Sequence, residues 1–375
     1  MKRIAPLTIM AVVAALISVG VAAGARNGAP TSVVFVQTND PAGNSIVVYD
    51  RGSDGLLNRA GTYASGGDGG VAAPGSESDH LASQGSLVYY AASRMLYAVN
   101  AGSNTVSAFS VHGDQLRLDE VVPSGGQFPA SIAVHGRLLY VLNSGGAGIV
   151  QGFRIADDGL VAIPGSARSL GLANSDPPDF LAAPGQVGFT PDGSQLLVTT
   201  KASSSAIDVY QVRADGRLST APVVNQSATP VPFAFTFTPT GRLAAGEAGA
   251  STLSTYALQA DGTLTDPHSQ PDGQAALCWI IRVGEDYYVS NTGSNTLSGY
   301  TIASDGQPSL IGPTGIVAST DPGPIDMTSP PGTSFLYAET GSGTIDEFTT
   351  NPDGTLTNLG VIAGLPAGIQ GIAST

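Results

Sequence analysis

The sequence is poor in the residues that most often carry chemistry. Its 375 residues include one cysteine, one tryptophan and four histidines. A lone Cys278 excludes an intrachain disulfide, so stability has to come from the core and the topology. It stands in the apolar run Ala275–Ile281, where a buried, inert thiol is expected rather than a nucleophile. A lone Trp279 argues against a quinone cofactor, whose ring needs several tryptophans to stack on, and suits packing between elements. No His-x-His, His-Glu-x-x-His or Cys/His cluster occurs, so no metal site is expected. There is no Gly-x-Ser-x-Gly nucleophile turn and no strand, glycine loop and helix for a nucleotide, so no cofactor is expected. Charged residues make up 12%, with 15 basic against 29 acidic, and no basic run reaches five. A net charge of −14 repels phosphate backbones and anionic headgroups, which excludes nucleic acid and membrane surfaces as natural partners.

What is present is glycine, 49 residues of it, within a chain that is 42% hydrophobic. That is enough apolar material for a large core, and no helical period persists beyond residue 25. Residues 1–25 read as a signal peptide. Lys2 and Arg3 precede an apolar stretch broken only by Thr8 and Ser18, and Ala23-Gly24-Ala25 offers a cleavage site before Arg26. The expectation is an exported protein, periplasmic or extracellular, whose residues 26–375 form one domain. A monomer with no membrane insertion after cleavage is expected.

The organisation is a repeat. AGSNTVSAF at Ala101–Phe109 returns as TGSNTLSGY at Thr292–Tyr300. Aligned on the aromatic that ends this hairpin strand, seven units appear: Tyr49, Phe109, Phe153, Tyr210, Tyr256, Tyr300 and Phe348. Five residues after each stands an aspartate, and glycine follows it everywhere except at Gln115. Asp-Gly between alternating runs is a strong hairpin signal, because glycine accepts positive φ. A second turn, such as Pro191-Asp192-Gly193, precedes the aromatic in each unit. Four antiparallel strands per unit, here lettered A to D, repeated seven times, make an all-β seven-bladed β-propeller. The chain enters at Val33–Val36 as a strand B and ends at Gly368–Ala373 as a strand A. The C-terminal strand is therefore expected to close blade 1 from the inside.

The A–B and C–D turns of such a ring share one face, and the B–C and D–A loops share the other. The second face holds the long insertions Gly61–His80 and Pro164–Phe180 and a weaker extension at 312–322. Long loops on a rigid scaffold mark the expected binding face. There the B–C loops begin with Asn100, Asn143 and Asn291, but with Lys201 in blade 4 and Glu247 in blade 5. Lys201 and Glu247 read either as a substrate-orienting pair or as an inter-blade salt bridge. His80 and Asp326 are the other candidate catalytic groups. Gln84, Ser131, Gln186 and Gln370, at the starts of inner strands, form a candidate ring of hydrogen-bonding groups for a neutral polar ligand or water in the central channel.

The segments SQGSL (Ser83–Leu87), YAVNAGSNTVSAF (Tyr97–Phe109), LLYVLNSGGAG (Leu138–Gly148), PGQVGFTPDGSQLLVTTK (Pro184–Lys201), ALCWI (Ala276–Ile280) and PIDM (Pro324–Met327) carry a resemblance. The chain resembles the exported bacterial branch of the lactonase-type seven-bladed propellers, the family of 6-phosphogluconolactonase and carboxymuconate cyclase. That resemblance implies the propeller fold, a small-molecule substrate and acid–base chemistry by a His, Glu and Arg grouping. His80 and Glu247 are candidates for it by location, while Arg282 lies well down its strand. Two functions stay open. One is a hydrolase or isomerase of a lactone-type molecule, with Glu247 or Asp326 as general base and Lys201 stabilising the oxyanion. The other is a non-catalytic propeller that binds a carbohydrate, peptide or envelope partner.

Overall fold

The computed structural model describes residues 32–73, 76 and 78–375; the expected leader lies outside them. Seven antiparallel sheets of four principal strands follow one another round a ring. Blade 1 is ordered Leu57–Ala64, Ser45–Arg51, Val33–Gln37 and, innermost, Ile372–Ser374. The inner strands of blades 2 to 7 are Leu87–Tyr90, Pro129–His135, Gln186–Phe189, Pro232–Phe237, Leu277–Val283 and Pro324–Thr328.

The ring closes as the sequence predicts. Val34, Phe35 and Val36 pair with Ser374, Ala373 and Ile372, and the Gln37 amide donates to the Gly371 carbonyl at 2.8 Å. First and last strands thus share one sheet, and Val33–Gln37 is not left as an open edge.

The Asp-Gly turns work by the expected mechanism. Gly55, Gly216, Gly262, Gly306 and Gly354 all have φ between +78° and +98°. The aspartate before each accepts the amide two residues on, as Asp261 Oδ1 does from Thr263 at 2.9 Å. Blade 2 departs because its left-handed residue is Gly113, ahead of Asp114, so a two-residue hairpin joins His112 to Gln115.

Second strands such as Leu138–Asn143 are short apolar runs buried on both sides, because each blade is covered by its neighbours. Tyrosines fasten blade to blade. The phenols of Tyr140, Tyr288 and Tyr337 donate to the carbonyls of Gly216, Gly354 and Gly55 at 2.6, 3.0 and 2.6 Å. Each reaches from one blade to the Asp-Gly turn of the next.

The extension at 312–322 is part of the sheet, since Ile316–Ser319 pairs with Thr296–Ser298. The two longer insertions meet each other. Ala73 and Asp179 form a parallel bridge, and Ala73 exchanges backbone hydrogen bonds with Pro178 and Phe180 at 3.0 Å each.

Candidate active site

The channel is not an open tube. The segment 81–85 crosses its axis and bonds to blades on several sides. Gln84 binds the backbone of Ile280 in blade 6 twice, through Nε2 at 3.0 Å and Oε1 at 3.1 Å. Its amide donates to Gly185 ahead of blade 4 at 3.0 Å, and Ser83 Oγ donates to Ala130 of blade 3 at 2.7 Å. Trp279 Nε1 donates to the Ser83 carbonyl at 3.1 Å, and Gln370 Oε1 accepts from Leu81 at 2.6 Å. This segment separates two cavities. One, of about 460 Å³, opens toward the A–B turns and is lined by Gln84, Gly85, Arg282 and Asp326 among others.

The other cavity, about 390 Å³, lies in the B–C/D–A face. Both insertions contribute to it, through Ser78 and Asp79 from the first and Phe180 from the second, with Leu181 next to it. Its wall is made by Val231 and Phe233 of blade 5 and Ala276, Cys278 and Trp279 of blade 6. Trp279 and Phe233 lean together with ring centroids 4.7 Å apart.

Lys201 stands at the base of this cavity, only 1% exposed. Its residue opens a single 3-10 turn after the second strand of blade 4, with φ +45°. Its ammonium donates to the carbonyls of Ala82 at 2.7 Å and Phe180 at 2.6 Å, and lies 5.0 Å over the Phe233 ring. Among the described residues the third ammonium proton meets no acceptor. Burial pushes the Lys201 pKa down to about 8, against the pull of Asp79.

Asp79 is the partner that the sequence did not reveal. It is 2% exposed, and its Oδ1 accepts from the Ala82 amide and the Gln370 Nε2, both at 2.6 Å. Among the described residues its Oδ2 is buried with no partner. Burial raises the Asp79 pKa to about 7, while the Lys201 charge pulls it back. A buried carboxylate with one oxygen fixed and one without a partner, coupled to a buried ammonium of the same cavity, is a candidate constellation for acid–base work.

Backbone strain gathers at the same place. Val231 and Ala276, which precede the inner strands of blades 5 and 6, sit at φ +64° and +59°, a region that L residues rarely enter and β-branched ones least. With Lys201, three left-handed non-glycine residues line one cavity. Such strain persists where the surrounding structure fixes it, and it clusters at binding sites.

The other candidates are placed elsewhere. Glu247 and Lys201 do not pair. The Glu247 carboxylate accepts from the Thr229 amide at 2.9 Å, Thr229 Oγ1 at 2.6 Å and Ser254 Oγ at 2.7 Å, and from the Tyr256 phenol. It is fully buried in its own blade and is not part of the cavity lining. Asp326 lies below the crossing segment, in the lower cavity. Its carboxylate receives the Met327 amide at 2.9 Å, and burial raises its pKa to about 7. His80 packs against the C-terminal segment; a Cβ built on Gly368 would fall 1.9 Å from its ring. Cys278 lines the cavity, but burial raises its thiol to about 12, so it stays protonated.

The polar ring expected to meet a ligand instead knits the inner strands together. Ser131 Oγ accepts from Val187 of blade 4 at 3.2 Å, and Gln186 Oε1 accepts from Phe235 of blade 5 at 2.6 Å. Gln84 holds the crossing segment, and Gln370 holds Asp79 and the Ser83 carbonyl. Of the four, Gln370 alone touches the constellation of Asp79 and Lys201.

Glu339 was also missed. It is fully buried on the second strand of blade 7, and its Oε1 accepts from Gly371 at 2.6 Å. Burial, then the neighbouring Asp326 and Asp79 charges, raise its pKa well above the usual carboxylate range. The sequence did carry a signal. Glu339 occupies the position where blades 2, 3, 5 and 6 have Val99, Leu142, Gly246 and Ser290.

The chain is a ring of seven blades with a loop-lined cavity over a blocked axis. The model of the lactonase, 7-bladed beta-propeller family matches residues 87–369, and the chain belongs to that family. No curated protein matches the chain. Among solved structures, a protein from Lactobacillus plantarum superposes with a TM-score of 0.71 at 20% identity, covering 92% of this chain and 98% of that one. A structure described as the periplasmic gluconolactonase of Pseudomonas aeruginosa gives 0.67 at 17%, covering 90% and 98%. A candidate 6-phosphogluconolactonase from Bacteroides uniformis gives 0.69 at 18%, with the same coverage. These likenesses show the fold.

Proposed function

We propose that the protein is an exported, monomeric lactone hydrolase working in the cavity of the B–C/D–A face. The observation that carries this reading is the meeting of Asp79 and Lys201 there, each buried and each with one hydrogen-bonding position open. Family membership supports a small lactone substrate, and the leader-like residues 1–25 support export. The likeness to the periplasmic gluconolactonase of Pseudomonas aeruginosa points the same way.

In this mechanism the ionised Asp79 takes a proton from a water held at its Oδ2. The hydroxide so formed attacks the lactone carbonyl carbon. The third N–H of Lys201 donates to the carbonyl oxygen as it becomes an oxyanion. The tetrahedral intermediate collapses by breaking the ring C–O bond, and Asp79 returns its proton to the departing alkoxide. The product is the open hydroxy acid, whose carboxyl proton passes to solvent. Gln370 and the Ala82 amide keep Oδ1 occupied, so Oδ2 is the oxygen directed to chemistry.

Ring opening releases acid, so a pH-stat assay over a panel of γ- and δ-lactones tests the proposal. Wild type should turn over at least one member. Asp79→Asn and Lys201→Met should each lower kcat/KM by about 10²–10⁴-fold, the usual weight of a positioned acid–base group. Turnover that survives both substitutions ends the proposal, and so does its absence from wild type across the panel.

A further inference from the structure

From the wall of the cavity we infer that its substrate is an uncharged, largely apolar lactone carrying an aliphatic or aromatic substituent, not a sugar lactone or its phosphate. This rests on the hydrolase reading above and goes further by naming the substrate class.

Three observations carry it. The first is the lining, in which Phe180, Leu181, Val231, Phe233 and Trp279 stand and apolar surface outweighs polar. The second is the shortage of free polar partners. Beyond Asp79 and Lys201, the lining hydroxyls are those of Ser78 and Thr292, and Thr292 Oγ1 already donates to the Pro324 carbonyl at 2.9 Å. A ring bearing four or five hydroxyls would leave most of them dehydrated and unpaired, at about 1–3 kcal/mol for each group. The third is charge. Among the described residues no arginine lines the cavity, and Lys201 is its one cation. That cation is coupled to the Asp79 carboxylate of the same cavity. A phosphate or a second carboxylate would find no cation there beyond the one already coupled to Asp79. At about 390 Å³ the site is at the small end of ligand pockets, which suits a bicyclic or short-chain lactone.

The sole tryptophan of the chain stands in the wall, so its emission reports occupancy without turnover. The test compares dihydrocoumarin and γ-nonanolactone with glucono-δ-lactone and 6-phosphoglucono-δ-lactone, by pH-stat kinetics and by Trp279 fluorescence titration. The expected result is kcat/KM at least tenfold higher for the apolar pair, with saturable fluorescence changes from that pair alone. Leu181 is 56% exposed at the rim, so Leu181→Arg should fold and should narrow the gap for the phosphorylated lactone. Equal or faster turnover of either sugar lactone overturns the substrate class and leaves the hydrolase reading standing. Fluorescence changes from the apolar lactones without turnover uphold the class and overturn the hydrolase reading. Neither turnover nor fluorescence change overturns both.

Discussion

Gln370 Nε2 donates to Asp79 Oδ1 at 2.6 Å, two residues before the strand that closes the ring. The closing segment and the candidate base are therefore one assembly. The same amide binds the Ser83 carbonyl at 2.9 Å and accepts from Leu81, so it also pins the segment that crosses the axis. Gln370 lowers the Asp79 pKa by donating to its ionised form. Gln370→Met should therefore move the acidic limb of the activity profile to higher pH, a shift that a purely structural residue would not produce. Unfolding by urea should show a loss of about 1–3 kcal/mol for a buried group left unpaired.

The pH profile of wild type should be bell-shaped. Activity should rise as Asp79 ionises through about 7 and fall as Lys201 loses its proton through about 8. The two limbs belong to the interacting pair, so the maximum should be narrow and stand between them. A profile flat from pH 5.5 to 9.5 would remove both groups from the mechanism.

Stability should depend on pH in an unusual direction. Asp79 and Asp326 have folded pKa values raised to about 7 from 3.8, and Glu339 is raised in the same sense. Between about pH 4 and 7 the folded protein holds protons that the unfolded chain has released, so stability falls as pH rises through that window. Lys201 is lowered to about 8 from 10.5, so between those values the unfolded chain binds more protons and stability rises with pH. Tm should pass through a minimum between pH 7 and 8. Asp326→Asn should reduce the gain on the acidic side, as measured by scanning calorimetry from pH 4.5 to 9.5.

Glu247 should behave as a structural residue. Glu247→Ala leaves the Thr229 amide, Ser254 and Tyr256 without their shared acceptor, at about 1–3 kcal/mol for each buried group stranded. The variant should show a clearly lower Tm, with kcat/KM per folded molecule within twofold of wild type. A collapse in turnover at unchanged Tm would return Glu247 to the chemistry.

Removing residues 368–375 should abolish folding. The deletion takes away the inner strand of blade 1, uncovers the edge of Val33–Gln37 and strands Asp79, Leu81 and Glu339 at once. Loss of cooperative thermal unfolding is the expected readout, and a folded, monomeric truncation would contradict it.

The repeat was legible because each blade is built by local rules, an aromatic followed five residues later by Asp-Gly. Closure was legible because the first unit lacks a strand A and the last residues supply one. Lys201 stood out as a break in a row of asparagines, and that break does mark the cavity. Glu247 broke the row as well, yet its partners lie in its own blade, and no repeat alignment shows where a carboxylate points. Asp79 was hidden in a loop with no period, next to the more conspicuous His80. Its importance comes from contacts with residues 122 and 291 positions away, Lys201 and Gln370. Gln84, Ser131 and Gln186 stand at the starts of inner strands and read in the sequence as a ring for a ligand. Their partners are backbone groups of other blades, which only the assembled ring brings within reach.

The crossing of the axis by residues 81–85 also has a kinetic consequence. With the floor of the upper cavity closed by Gln84 and its neighbours, the hydrolase reading has substrate enter and product leave on the B–C/D–A face. On that reading a hydroxy acid still seated by Lys201 blocks the next lactone. The opened product should therefore inhibit in strict competition with substrate, and no concentration of it should act from the opposite face.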